Sequence, residues 1–167
     1  MKLPSKMLGC LLLSPALAFA ALAMADPTTN HGDSNHAAIT EAEVAAAQKA
    51  WGEGIVAIGS AYSSGMDYRA AAKNHIEKFY AYGDEPVLFK PTLAAEDQFR
   101  GTLDEAHSYF VGGSIEEDNG FAIAPYTDVR WENEATFIDS DSAMAMGNYY
   151  FTGTDGAETK VEYSFGY

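Results

Sequence analysis

Four histidines could bind metal or move protons: His31, His36, His75 and His107. His31 and His36 sit five apart with Asp33 between them. That arrangement suits a weak cation tract, or simply a solvated polar segment. His75 and His107 fall on separate segments of helical pattern, where each reads as a surface or boundary side chain. No HExxH or paired His/Cys spacing occurs, so a complete protein-held zinc site is not predicted. Carboxylates cluster at Glu116-Glu117-Asp118 and at Asp139/Asp141. Both groups lie in turn-like stretches and read as solvated loops, without the spacing of a calcium loop. Gly112-Gly113 lacks the Lys-Ser/Thr of a phosphate loop, and no G-x-S-x-G elbow is present. The richer signal is a set of hydroxyl and amide groups among apolar neighbours: Thr92, Tyr109, Asn148 and Ser164. Converging in an aromatic pocket, they would make a small-ligand site by hydrogen bonding.

The elements that must position these groups follow from periodicity. Thr40 and Glu43 form a capping box. Val44, Ala47, Trp51, Ile55, Ile58 and Tyr62 then mark one apolar stripe on a helix running to about residue 63. Gly52, Gly54 and Gly59 interrupt it, which predicts close packing against a sheet. "DYRAAAKNHIEKFYAYG" reads as a second helix stopped at Gly83, with Tyr68, Ala72, Ile76 and Phe79 on one face. "PVLFKPT" reads as a short strand and "AAEDQFRG" as a helical turn. Thr102 with Glu105 caps a third helix, "LDEAHSYFVG". From Val129 the period changes to two: Val129, Trp131, Asn133, Ala135 and Phe137 share one face. "AMAMGNYYFT" and "TKVEYSFGY" are two further strands joined by the turn "GTDGAE". Helices followed by an antiparallel meander predict an α+β domain.

Composition narrows the class. The chain has 167 residues and a formal charge of −14. Residues 1–25 have the pattern of a signal peptide: Lys2 and Lys6, an apolar run, and Ala23-Met24-Ala25 as the cleavage box. Cleavage there removes two lysines and no acid, taking the charge to −16. The expectation is a periplasmic or secreted protein with no membrane segment after cleavage. Residues 26–38 read as a flexible leader, and residues 39–167 as the folded domain. Nucleic acid is excluded as a partner by the charge. The lone cysteine, Cys10, lies in the signal segment, so the mature domain has no thiolate chemistry. That excludes enzymes needing cysteine metal ligands, such as phosphoribosyl-AMP cyclohydrolase.

The stretches "VLFKPTLAAEDQFRGT", "YFVGGSIEEDNGFAIAPYTDVRWEN", "AMGNYYFT" and "KVEYSFGY" resemble the iota-class carbonic anhydrases, over about Ile39 to Tyr167. The resemblance implies the nuclear-transport-factor-2-like cone, a curved antiparallel sheet packed against N-terminal helices. It implies reversible hydration of CO2 to bicarbonate and a homodimer formed through the sheet. Thr92 and Tyr109 match pocket positions that contact bicarbonate in that family. Family members are described as metal-free or as zinc- or manganese-dependent; with no ligand triad in this sequence, the expectation is a metal-free site. The family's last strand ends in a His/Ser-rich motif, and this sequence ends at Tyr167 without it. The expectation is therefore a cone lacking its final strand, with activity impaired by loss of the natural proton acceptor, because a tyrosine titrating near ~10 is a poor base at neutral pH. The alternative reading is a non-catalytic cone that binds a small ligand or assembles dimers.

Overall fold

A computed structural model describes residues 38–167. The expected signal peptide and nearly all of the expected leader lie outside the described residues. Three helices precede a three-stranded antiparallel sheet, with a single 3-10 turn at Phe121–Ile123 between them. The helices are α1 (Glu41–Ser63), α2 (Tyr68–Phe79) and α3 (Leu103–Val111); the strands are β1 (Asp128–Ile138), β2 (Ala143–Thr152) and β3 (Glu158–Gly166), in that order across the sheet. The architecture is the α+β arrangement that the sequence pattern predicts.

Both predicted capping boxes form. The Thr40 hydroxyl accepts from the Glu43 amide while the Glu43 carboxylate accepts from Thr40, and Thr102 and Glu105 repeat the exchange at α3. Such caps satisfy amides that the first helical turn leaves open. The α1 stripe buries Val44, Trp51, Ile55 and Ile58, and the main core joins it to Ala72 and Ile76 of α2, Tyr109 and Phe110 of α3, and Val129 and Phe151 of the sheet.

Five expectations need correction. α2 ends at Phe79 rather than near Gly83, because Tyr80 turns extended (φ −127°, ψ 134°) to bring its hydroxyl under the Trp51 indole N–H. "PVLFKPT" is not a strand, and "AAEDQFRG" is not helical. The two instead form one irregular loop, joined where the Arg100 amide donates to the Phe89 carbonyl at 2.9 Å. Of the three α1 glycines only Gly52 abuts the sheet, at Val129; Gly54 makes room for the His75 ring and Gly59 for the Ala124 carbonyl. Finally, the β1 alternation breaks. The register slips between Asn133 and Ala135, so Phe137 faces outward and is 70% exposed. Gly147 permits that bulge: a Cβ there would lie 2.1 Å from the Glu132 carbonyl oxygen.

The inner face of the sheet carries Val129, Trp131, Tyr149, Phe151, Tyr163 and Phe165 against the helices. A polar ring sits inside this layer. Gln48 donates to the Tyr163 hydroxyl (3.1 Å), Asn133 donates to Gln48 (3.2 Å), and the Tyr163 hydroxyl donates to Asn133. Each member is satisfied by the other two, so burial costs little.

Candidate active site

Tyr109 lies on the buried face of α3, and its ring packs edge-on to Phe89 (5.7 Å) and tilted against Phe121 (5.1 Å). Its hydroxyl accepts the Leu93 amide at 3.3 Å. That bond brings the turn carrying Thr92 onto Tyr109. Thr92 is exposed, and its side chain holds the Tyr149 phenol down slightly against the larger upward push of burial. Tyr149 rises from the inner face of β2, where its ring stacks on Trp131 at 5.0 Å. Tyr80 stands behind, its hydroxyl accepting from Trp51 Nε1 at 3.2 Å. The structure thus sets Thr92 beside Tyr109 at the edge of an aromatic cluster, here called the recess, that also holds Tyr149 and Tyr80.

Asn148 and Ser164 do not belong to this group. Both project from the outer face of the sheet, where they line a shallow depression with Glu134, Met146 and Glu162. Their positions in β2 and β3 alternate with the inward Tyr149, Tyr163 and Phe165, and the pleat separates the two sets.

Electrostatics fix the protonation of the recess. Burial pushes the Tyr149 phenol up to about 12 and raises Tyr109 above its ordinary value. Burial likewise drives Tyr80 above the usual phenol range. All three stay protonated at neutral pH, so each can donate its O–H and none serves as a base. Tyr109 already accepts from Leu93, so its single O–H remains free for a ligand.

His75 and two of the acids depart from expectation, while His107 is the boundary side chain expected. His75 is a core residue, 7% exposed, with its ring against Trp51, Phe79 and Phe110. Burial, and then the charge of Lys78, depress its pKa to about 4, so the imidazole is neutral. His107 is half-buried, with Nε2 3.0 Å from the Arg69 carbonyl oxygen. His31 and His36 lie outside the described residues. Glu117 and Asp118 are not solvated loop acids. Asp118 holds Arg100, whose side chain is wholly buried, through two bonds of 3.2 and 2.6 Å, and Glu117 accepts three backbone amides. Among the described residues no group of three His, Cys, Asp or Glu side chains could hold a metal ion.

Tyr149 was legible in principle, since strict alternation in "AMAMGNYYFT" puts it on the same face as Ala143, Ala145 and Phe151. Arg100 and Asp118 leave no such trace, because their contact spans 18 residues of loop.

A domain of this α+β order, with an aromatic recess edged by hydroxyls, has close counterparts. The chain matches the metal-independent carbonic anhydrases over residues 42–167 and belongs to that family. It is 45% identical over 130 residues to the metal-independent carbonic anhydrase of Nostoc sp., an alignment covering 75% of this chain and 63% of the relative. This chain therefore spans less than two thirds of that relative's length. The crystal structure of a cyanobacterial iota-carbonic anhydrase complexed with bicarbonate superposes with a TM-score of 0.74 at 42% identity, over 77% of this chain and 82% of that one. Cuticle protein 3 of Lonomia obliqua is 28% identical over 76 residues, 46% of this chain and 42% of its own.

Proposed function

We propose that this chain hydrates CO2 reversibly to bicarbonate, with the Thr92–Tyr109–Tyr149 recess as its binding site. The observation that carries the reading is the bond from the Leu93 amide to the Tyr109 hydroxyl, which sets Thr92 beside Tyr109 at one aromatic cluster, in a member of the metal-independent family. The bicarbonate complex of the similar cyanobacterial structure supports the ligand. In the hydration step the oxygen of water bonds to carbon, one C=O pair moves onto oxygen, and a water proton departs. The aromatic walls accommodate apolar CO2. Neutral hydroxyls then donate to the oxygens on which charge develops, without any change in their own protonation. Raised phenol pKa values suit that task and leave proton acceptance to another group. No metal enters this account, in keeping with the family's description.

The test is stopped-flow CO2 hydration by the chelator-treated full chain. Thr92→Val and Tyr109→Phe are each expected to lower kcat/KM by ~10-fold or more with circular dichroism unchanged, the usual scale for losing a positioned donor. Full activity in both variants would remove the recess from the reaction. A folded wild type that binds bicarbonate yet hydrates no CO2 would instead identify a non-catalytic binding domain.

Two further parts of the reading concern assembly and location. Homodimerisation through the outer sheet face is supported by Phe137, Met144 and Met146, which stand 70%, 62% and 53% exposed on that face. Export to the periplasm or medium is supported by the pattern of residues 1–25, and N-terminal sequencing of secreted protein tests it.

A further inference from the structure

The loop carrying Thr92 has almost no regular hydrogen bonding of its own. It is held from both sides by side chains, two of them, Tyr109 and Glu117, distant in sequence. On one side, the Leu93 amide donates to the Tyr109 hydroxyl, and Lys90 Nζ donates to the carbonyls of Pro91 and Ala94 at 3.1 Å each. On the other, a single carboxylate does the work of a missing strand partner. Glu117 Oε2 accepts from the amides of Ala95 (2.9 Å) and Glu96 (3.1 Å), and Oε1 accepts from that of Asp97 (2.9 Å). Three successive amides pointing into one concavity form an anion nest. Here the anion is built into the chain.

The nest's occupant is itself anchored. Arg100, with no exposed side-chain surface, lies 3.6 Å from Glu117 Oε1 and grips the neighbouring Asp118. Its guanidinium also donates to the carbonyls of Asp97 and Phe99. The 116–118 turn and the 95–100 segment therefore lock as one body. Thr92 directly precedes two fixed points, residue 93 bonded to Tyr109 and residues 95–97 bonded to Glu117.

We propose that Glu117 is a positioning residue, whose carboxylate, seated on the amides of residues 95–97, sets where the Thr92 hydroxyl stands over Tyr109 and Tyr149. The proposal rests on the reading of this recess as the bicarbonate site. It adds a second consequence: an empty nest of three amides would attract bicarbonate away from the recess, and the internal carboxylate fills it. The carboxyl is pulled down to about 2, first by the Glu96 amide and then by those of Ala95 and Asp97. It is a permanent anion, not a proton acceptor.

Glu117→Ala, Thr92→Val and the double variant are compared with wild type in the full chain. The readouts are CO2 hydration and NMR amide exchange at residues 95–97. If Glu117 acts through Thr92, Glu117→Ala lowers kcat/KM by about tenfold or more, and adding it to Thr92→Val lowers it little further. Formate, which fits the vacated nest, restores part of the activity of Glu117→Ala and none in Thr92→Val. Glu117→Gln, which keeps one acceptor oxygen, falls between and serves if the alanine variant does not fold. Wild-type kcat/KM in Glu117→Ala, or losses that simply multiply in the double variant, would overturn the proposal. If the wild type hydrates no CO2, the functional reading fails. Glu117 is then judged on NMR alone: unchanged Thr92 resonances and unchanged amide protection in the alanine variant would overturn its positioning role as well.

Discussion

Acidification should loosen this fold well before its carboxylates protonate, and His75 is the reason. The ring sits between α1 and α2 so closely that a Cβ at Gly54 would lie 2.1 Å from Nδ1. Its Nε2 is buried without a hydrogen-bond partner, and Lys78 is the charged group that bears on it. Burial holds the folded-state pKa at about 4, against 6.5 for the free side chain. The unfolded chain therefore binds the extra proton first, and stability falls as pH drops through the window from 6.5 to 4. Relative to neutral pH, linkage gives a loss of about 2 kcal/mol by pH 5 and about 3 kcal/mol by pH 4. For a domain of this size that is a fall in Tm on the order of 5–10 °C at pH 5. Glu117 sits lower: its folded value of about 2 keeps its stabilisation intact until pH drops below the ordinary carboxylate value of 4.5. Urea denaturation at pH 7.5, 6 and 5 measures the slope, with His75→Phe as the comparison. The variant's absolute stability will differ because the cavity is reshaped, but its slope over this window should be nearly flat. Equal slopes in the two proteins would refute the assignment of the acid sensitivity to His75.

Removing Asp118 should be more damaging than removing either exposed partner of a surface pair, because buried Arg100 would lose both of its carboxylate hydrogen bonds and keep only the more distant Glu117 and Asp97; Asp118→Ala is expected to cost about 3–5 kcal/mol in urea denaturation. Gly147→Ala forces a methyl against the Glu132 carbonyl at 2.1 Å, and a loss of more than ~2 kcal/mol should follow, read in the same assay. Phe137→Lys and Met144→Lys place charge on the outward apolar patch; on the proposed sheet-face dimer, sedimentation velocity should show a shift to monomer with circular dichroism unchanged, and a wild type that already sediments as a monomer would refute that dimer.

Local rules made much of this fold readable. The caps at Thr40 and Thr102 arise from contacts three residues apart, and the α1 stripe and the meander are written as periodic patterns within each element. His75 was readable too: with Ala72, Ile76 and Phe79 it falls at three- and four-residue steps on one helix face, and its polar character masked that placement. The bulge was not, because an extra residue in β1 leaves the letters alternating while the register slips, and only the close approach allowed by Gly147 on β2 accommodates it. The 86–101 loop was misread for the opposite reason. Its residue types favour strand and helix, but Glu117, Tyr109 and Arg100 bond its backbone more effectively than a regular element could. In the recess, the sequence pointed to Thr92 and Tyr109 as polar groups in apolar surroundings. The structure brings them together, and separates them from Asn148 and Ser164 through the pleat of the sheet.

The chain contains two tryptophans, and they meet: Trp51 of α1 lies edge-on to Trp131 of β1 with ring centroids 5.6 Å apart. Indoles at that separation couple their excited states, so the near-ultraviolet spectrum carries a signature of the helix–sheet contact itself. Trp51 also touches His75, at 5.8 Å between centroids. A protonated imidazole quenches a neighbouring indole, so fluorescence on acidification reads the charging of His75 directly, in the unlabelled protein.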